Sequence, residues 1–288
     1  MKGIILAGGK GSRLYPMTKA MSKPLIPIYD KPMVYYPLSV LLTAGIRDIM
    51  LITAPADVES YQRLLGDGSQ YGVHMSYGIQ YVARGIADAF LIAEDFLAGD
   101  RCCLVLGDNM FHGEQLSYLL WDAAQQEFGA TIFGYPVSNP RAYGVVEFDE
   151  NNRVLSIEEK PEHPRSNYAV PGLYFYDGKA VGLAKTLKPS ARGELEITAL
   201  NEEYLKRGEL RVGLMTRGMA WLDTGTPEGM LNAAQYVEAV QSRQGLYIAC
   251  PEEIAWSKGF ITTEQLYAIG NDLKMTEYGQ YLLSLGKK

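Results

Sequence analysis

Short apolar, β-branched runs alternate with amphipathic stretches of helical length along the first half of the chain. The runs are Ile4-Ile5-Leu6, Ile49 to Thr53, Cys102 to Leu106 and Ala130 to Gly134. This alternation constrains the fold more than any other feature. A parallel neighbour is reached only by a crossover long enough to hold a helix, so strands spaced in this way predict βαβ units around a parallel sheet. Helices are expected over Tyr35 to Ala44, Val58 to Leu65, Ile86 to Phe96 and Gln115 to Gln126. Gly45 follows the first as a stop signal, and Asp57 and Glu114 sit near the starts of others, where acids complement the helix dipole.

From Tyr143 the texture changes. Gly144 to Phe148, Val154 to Ile157, Tyr168 to Tyr176 and Leu210 to Met215 read as strands with few helices between them, and Asp149-Glu150-Asn151-Asn152 reads as a turn. Pro227 opens a helix through about Val240, and the remainder to Lys288 reads as mostly helical. With 288 residues, 47% of them hydrophobic, the chain can bury a large core, and one α/β domain with a tail is the expected organisation.

A net charge of -6 without any block of Lys or Arg argues against a nucleic acid partner, so a phosphate ligand would need a local site. The three cysteines, Cys102, Cys103 and Cys250, form neither a disulfide framework nor a metal-knuckle spacing and read as buried thiols of a reducing compartment. The amino terminus lacks the pattern of a secretory leader and no apolar run has membrane-spanning length, so a cytoplasmic protein is expected.

Four segments carry candidate chemistry. Leu6-Ala7-Gly8-Gly9-Lys10-Gly11-Ser12-Arg13-Leu14 follows the first strand, where open α/β sheets bind ligands. Its glycines let backbone N–H groups face an anion, and Lys10 and Arg13 add charge; an ordinary tight turn would look the same. Leu14 stands where a dinucleotide fingerprint needs glycine, and no Gly-Lys-Ser/Thr of a P-loop is present, which disfavours a dinucleotide-dependent oxidoreductase. Prolines 16, 24, 27 and 32 then forbid a regular helix and predict an extended strap from which Lys23 projects, either toward a ligand or into solvent.

Asp108, in Val105-Leu106-Gly107-Asp108-Asn109, ends a buried strand, where its charge needs a cation or a donor; it either caps the next helix or meets a hard divalent ion. Asp223, in Trp221-Leu222-Asp223-Thr224-Gly225-Thr226, ends another apolar segment, and the two aspartates are candidates for one metal. Glu158-Glu159-Lys160-Pro161, taken alone, reads first as a charged edge strand.

Together these segments resemble the sugar nucleotidyltransferases. Further carriers are Tyr29-Asp30-Lys31-Pro32-Met33, Leu65-Gly66-Asp67-Gly68, Tyr143-Gly144-Val145-Val146-Glu147-Phe148-Asp149, Gly172-Leu173-Tyr174-Phe175-Tyr176-Asp177 and Gly193-Glu194-Leu195-Glu196-Ile197-Thr198. The resemblance spans nearly the whole chain. It implies a Rossmann-like, three-layer, mostly parallel sheet with an α+β sugar-binding half and a helical C-terminal appendage. The nucleotidyltransferase domain would span residues 1–240, with a nucleotide part over about 1–135 and a sugar-phosphate part over about 136–240, and the appendage 241–288.

The implied reaction joins dTTP and glucose 1-phosphate to give dTDP-glucose and pyrophosphate, the first step of dTDP-rhamnose or related deoxysugar synthesis, with Mg²⁺ as cofactor. In that reading Arg13 and Lys23 neutralise charge at the α-phosphorus, and Asp108 and Asp223 hold Mg²⁺. Leu6, Gly8, Gly9, Gly11 and Asp108 line the nucleotide, and Gln80 and Gly85 read the base. Tyr143, Gly144, Glu159 and Val170 line the sugar pocket, while Lys160 and Arg192 meet the sugar phosphate.

The resemblance also implies a homotetramer with a second nucleotide site for a dTDP-sugar feedback effector, toward which Arg217, Glu253 and Ile254 are candidates; packing of a helix on its own domain is the other reading of Ile254. The chain departs from the family pattern around the substrate pockets. It lacks the usual proline before Gly85, and carries Ile86 for leucine, Asp88 for glutamine, Pro24 for glutamine, Pro171 for threonine and Ala199 for aspartate. Use of UTP or another hexose 1-phosphate, or a regulatory nucleotide-sugar-binding module without turnover, are the alternative functions.

Overall fold

The structure is a computed structural model that describes residues 1–9 and 11–286. Lys10 of the glycine-rich loop lies outside the described residues. In chain order the first half runs β1 (Lys2–Ala7), β2 (Pro27–Ile28), β3 (Lys31–Pro32), α1 (Tyr35–Thr43), β4 (Asp48–Thr53), α2 (Val58–Leu65), β5 (His74–Ile79), α3 (Asp88–Ile92), α4 (Glu94–Leu97), β6 (Cys102–Leu106), β7 (Asn109–His112) and α5 (Leu116–Gln125). The second runs β8 (Ala130–Pro136), β9 (Gly144–Phe148), β10 (Val154–Glu159), β11 (Tyr168–Ala169), β12 (Leu173–Tyr176), α6 (Ala180–Ala184), α7 (Ile197–Lys206), β13 (Leu210–Leu214), β14 (Ala220–Asp223) and α8 (Pro227–Gln244). Three helices close the chain: α9 (Pro251–Ser257), α10 (Thr263–Asp272) and α11 (Glu277–Leu285).

One sheet organises the molecule, in the order β10-β9-β11-β8-β12-β6-β1-β4-β5, with β13 also paired to β8. β6, β1, β4 and β5 are mutually parallel, as the βαβ alternation predicts. β12 runs antiparallel to both β6 and β8, and β11 and β10 are likewise reversed, whereas β13 is parallel to β8. Most strands therefore point one way, and their carboxyl ends share one edge.

Side chains alternate between the two faces of the sheet. Ile4, Leu104, Ile132 and Tyr174 pack with Phe90, Leu200 and Tyr204 on one side. Ile5, Val105, Phe133 and Phe175 pack with Leu38, Tyr61 and the tail residues Ala255, Leu266 and Leu282 on the other. The fold is therefore a three-layer α/β arrangement. The helical tail docks on this core: α9 packs on α1, and the backbone around Phe260 meets Gly72. Helix α8 is continuous through residues 240 and 241 and stops at Gly245.

Two expected elements are broken, each for a visible reason. The stretch Ile86 to Phe96 forms α3 and α4, divided where Ala93 leaves helical geometry at φ -89° and ψ 9°, and α3 begins only at Asp88, Ala87 N–H donating to Leu195 O at 3.1 Å. Tyr168 to Tyr176 forms β11 and β12 separated at Pro171-Gly172, where Gly172 N–H donates to the Asn109 side chain at 3.0 Å. The second half also holds α6 and α7, which its strand-rich texture concealed. No helix among the described residues is long and apolar enough to cross a membrane.

Candidate active site

Asp108 and Asp223 are distant in sequence and adjacent in space. Asp108 follows the central strand β6, and the chain then turns directly into β7. β7 pairs antiparallel with β14 in a register that sets Asp223 opposite Asn109. Thr224 locks the junction, its hydroxyl donating to Asp108 O at 2.8 Å. Burial pushes the Asp223 carboxyl above its ordinary value, and the negative charge of Asp108 pushes it in the same direction. Two carboxylates sharing a partly dry site call for positive charge.

Two cations of the chain supply it. Lys23 Nζ stands 2.6 Å from Asp108 Oδ2. Its support is the proline strap, which forms short 3₁₀ turns over Ser12–Leu14, Met17–Lys19 and Lys23–Leu25. Pro24 packs so closely on Gly107 that a Cβ there would lie 2.9 Å from Pro24 Cγ, and Val34 N–H donates to Pro24 O at 2.8 Å. Lys23 is buried, so it is a braced ammonium group and not a solvated one. Arg13 is exposed, and its Nη2 lies 3.3 Å from the place a Cβ on Gly225 would occupy, beside Asp223.

Asn109 ties the cluster to the sheet. Its Nδ2 donates to Asp108 Oδ1 at 2.8 Å, while its Oδ1 accepts from Trp221 Nε1 at 2.7 Å and from Gly172 N. The Trp221 ring packs against Tyr143, with centroids 5.0 Å apart. Tyr143 has its hydroxyl pKa raised by burial and by the charge of Asp223.

Beyond Tyr143 a second group converges. Glu159 pairs with Gly144 across β10 and β9 and accepts a hydrogen bond from Thr198 Oγ1 at 2.8 Å. A Cβ on Gly144 would lie 3.2 Å from Glu159 Oε2, 3.7 Å from Thr198 Oγ1 and 3.9 Å from Val170 Cβ, so these four residues surround one small space. Lys160 takes a left-handed backbone with φ 46°, and its Nζ lies 3.7 Å from Glu159 Oε1. Arg192 makes a two-pronged contact with Glu196 and approaches Glu159 Oε1 at 3.8 Å. Glu159 is thus the acceptor at the centre, with Lys160 and Arg192 on its rim.

Gln80 and Gly85, the residues expected at the base, follow the end of β5, which pairs with β4. Gln80 N–H donates to Thr53 O at 2.8 Å, and the Gln80 side chain reaches over Gly8, where a Cβ would come within 2.3 Å of Gln80 Oε1. Gly85 has φ 103° and no room for a side chain, since a Cβ would meet Leu195 O at 2.4 Å. Leu195 N–H in turn donates to Arg84 O, so the loop after β5 is clamped to the segment that carries Arg192 and Thr198. Leu6 O accepts from Gly107 N–H, and Gly9 is exposed at the mouth of the loop, which continues through Gly11 into the Ser12–Leu14 turn.

Of the residues expected at a regulatory site, Glu253 accepts a hydrogen bond from Tyr281 Oη at 2.7 Å. Ile254 lines a cleft of about 170 Å³ with Tyr36, Ser39, Thr43, Phe111 and His112. Arg217 is exposed on the turn before β14 and does not line that cleft.

Sequence reasoning did not single out Asn109, Thr198 or the buried Asp88 as functional. Asn109 had a signal in its place directly after Asp108 at a strand end. Thr198 stands in the Gly193–Thr198 motif without a role of its own, and only the fold brings it to Glu159.

Among the described residues no group of three or more His, Cys, Asp or Glu side chains could hold a metal. The two aspartates nonetheless suit a hard cation of the Mg²⁺ kind, which commonly takes one or two protein carboxylates and fills the rest of its shell with water and substrate phosphates.

A family model described as "Nucleotidyl transferase" matches residues 2–240. A glucose-1-phosphate thymidylyltransferase of Neisseria meningitidis is 58% identical over 288 residues, which is 100% of both chains. The protein of that name from Mycolicibacterium smegmatis is 53% identical over 285 residues, 99% of each chain. A crystal structure from Bacillus anthracis, named provisionally as a glucose-1-phosphate thymidylyltransferase and solved in complex with a sucrose, superposes with a TM-score of 0.77 at 41% identity, covering 88% of this chain and 99% of that one. On fold, site and full-length similarity alike, the chain belongs to the nucleotidyl transferase family, among relatives named glucose-1-phosphate thymidylyltransferase.

Proposed function

We propose that the chain transfers a deoxythymidylyl group from dTTP to glucose 1-phosphate, giving dTDP-glucose and pyrophosphate. The observation that carries this reading is the β7–β14 ladder, which brings Asp223 beside Asp108, Lys23 and Arg13 and leaves the Gly144–Glu159–Val170–Thr198 space on the far side of Tyr143 and Trp221. A phosphate oxygen of the sugar phosphate attacks the α-phosphorus, the α–β phosphoanhydride bond breaks, and pyrophosphate carries away the electron pair. The attacking monoester has its second pKa at about 6 and is already largely dianionic at neutral pH, so no protein base is required. Rate comes from alignment and from neutralising charge.

In this reading Arg13 and Lys23 face the triphosphate, with Leu6, Gly8, Gly9, Gly11 and Asp108 around it and Gln80 and Gly85 at the base. Glu159 accepts from a sugar hydroxyl beside Gly144, Val170 and Tyr143, and Lys160 and Arg192 take the sugar phosphate. Asp108 and Asp223 hold Mg²⁺, which neutralises phosphate charge when bound. The nucleotide part spans about residues 1–135, the sugar-phosphate part about 136–240 and the helical C-terminal appendage 241–288; its Ala255, Leu266 and Leu282 add to the core. A cytoplasmic setting agrees with three buried free thiols. We extend the reading to a homotetramer that uses Arg217, Glu253 and Ile254 for a dTDP-sugar effector, and to a product consumed in deoxysugar synthesis.

The test is pyrophosphate release by the purified chain with a panel of triphosphates and hexose 1-phosphates. dTTP with glucose 1-phosphate should give the highest kcat/KM. A preference for UTP by about tenfold or more would reassign the nucleotide.

A further inference from the structure

Gln80 and Asp88 form a buried pair beside the glycine-rich loop. Gln80 Nε2 donates to Asp88 Oδ2 at 3.0 Å. Asp88 is 1% exposed, and its other oxygen, Oδ1, stands 2.8 Å from Arg84 Nη2. An ionised carboxylate only accepts hydrogen bonds, so it can be met by the amide nitrogen of Gln80 and not by the amide oxygen. This fixes which end of the amide faces which way. Oε1 points over Gly8, and among the described residues no donor meets it.

We propose that Asp88 is a positioning residue for base selection: by preventing the Gln80 amide from turning over, it makes the site read the imide edge of thymine or uracil and reject cytosine. The inference rests on the placement of the base at Gln80. Thymine and uracil present a donor at N3 beside an acceptor at O4. Cytosine presents the reverse, an acceptor at N3 beside the N4 amino donor. A freely turning glutamine amide satisfies either order, whereas a held amide satisfies one. With Oε1 facing the ligand and the second Nε2 hydrogen available beside it, the held amide matches an N–H flanked by a carbonyl. A cytosine in the same pose would set acceptor against acceptor and donor against donor.

Asp88→Asn keeps the shape and changes the outcome. The positive charge of Arg84, whose Nη2 lies 2.8 Å from Oδ1 outside hydrogen-bond geometry, favours the amide oxygen at that position, which turns the new amide nitrogen toward Gln80 and requires the Gln80 amide to reverse. The expected result is a fall of about ten- to a hundredfold in the dTTP-to-dCTP ratio of kcat/KM. The loss of dTTP should appear mainly in KM, and the dTTP-to-UTP ratio should not move, because both bases carry the same imide edge. Damage of a merely structural kind would lower all three nucleotides together. An unchanged dTTP-to-dCTP ratio in Asp88→Asn overturns the proposal.

Asp88→Ala, which frees the amide without reversing it, should lower the ratio less, and an unchanged ratio there overturns the proposal should the asparagine variant not fold. Gln80→Ala separates this inference from the reading beneath it. If Gln80→Ala leaves the ratio intact, the base is not at Gln80; if it collapses the ratio while the Asp88 variants do not, the base placement stands and the role of Asp88 falls.

Discussion

Lys23 Nζ lies 2.6 Å from Asp108 Oδ2, an ion pair held between a proline-braced turn and the carboxyl end of the central strand. The contact is part-buried, and truncating one partner leaves the other carrying charge in a partly dry site. The same ammonium group is close enough to lower the Asp223 carboxyl, against the upward push of burial and of Asp108. Lys23 therefore serves both carboxylates.

Replacing Lys23 with alanine removes one of the two cations beside Asp108 and Asp223. We expect kcat to fall on the order of 10²–10³-fold with a smaller change in KM for the sugar phosphate. Steady-state kinetics with both substrates varied checks this, and Lys23→Arg should recover only part of the loss because the brace fits a compact ammonium group.

Asp223→Asn keeps the volume and hydrogen-bonding reach of the side chain but removes its charge. Titrating Mg²⁺ against turnover should show a weaker apparent metal affinity and a lower ceiling than in the unaltered chain. A chelator should abolish turnover of the unaltered chain, and added Mg²⁺ should restore it. Asp223→Asn with an unchanged metal curve would remove this carboxylate from the metal site.

Thr198→Val deletes the donor to Glu159 Oε2 while conserving shape. Glu159 would lose its fixed orientation and Arg192 would compete for it from 3.8 Å. KM for glucose 1-phosphate should rise by roughly tenfold, the size expected for one charge-assisted hydrogen bond, with KM for dTTP little changed.

Glu252 provides a pH test of the docked tail. It is buried in the first turn of α9, accepts from Tyr278 Oη, and has its carboxyl pushed above the ordinary value of 4.5 chiefly by burial. A pKa raised in the folded state means that folding favours the protonated carboxyl. The associated stability is fully present below about pH 4.5 and is lost as pH rises through the folded-state value. Glu252→Gln mimics the protonated form and keeps an acceptor for Tyr278. Its melting temperature should exceed that of the unaltered chain at neutral pH, and the gap should close on acidification. A gap that persists or reverses sign at acid pH would contradict the assignment.

Much of the fold was legible because short continuous apolar runs and the helices between them report burial directly. Ile4-Ile5-Leu6, Ile49 to Thr53 and Cys102 to Leu106 are central parallel strands as read, and their order explains why the glycine-rich loop and Asp108 lie side by side. β5 was missed because His74–Ile79 carries His, Ser and Gly among its apolar residues and lies at the sheet edge. The β7–β14 ladder was missed because each strand is four residues long and has meaning only when paired.

The candidate site divides along the same line. Arg13, Lys23, Asp108, Asp223 and Glu159 stand out by residue type at strand ends and turns. Asn109 meets Trp221 and Gly172, and Thr198 meets Glu159, through contacts that only the fold supplies, while the Asp88 pairing with Gln80 spans an irregular loop with no periodic signal. That the helical tail packs on the domain was not legible: Ala255, Leu266 and Leu282 join the core cluster that holds Leu38 and Leu41 of α1 only once the chain is folded.

The central claim is that a phosphate oxygen of the sugar phosphate attacks the α-phosphorus of dTTP at the Asp108–Asp223–Lys23 cluster. Phosphorus NMR of the product made from glucose 1-phosphate carrying heavy oxygen in its phosphate tests this most directly. The account predicts that the oxygen bridging the two phosphorus atoms of dTDP-glucose is labelled, with an isotope shift on both resonances and none in the released pyrophosphate. An unlabelled bridge, or label in the pyrophosphate, would contradict it.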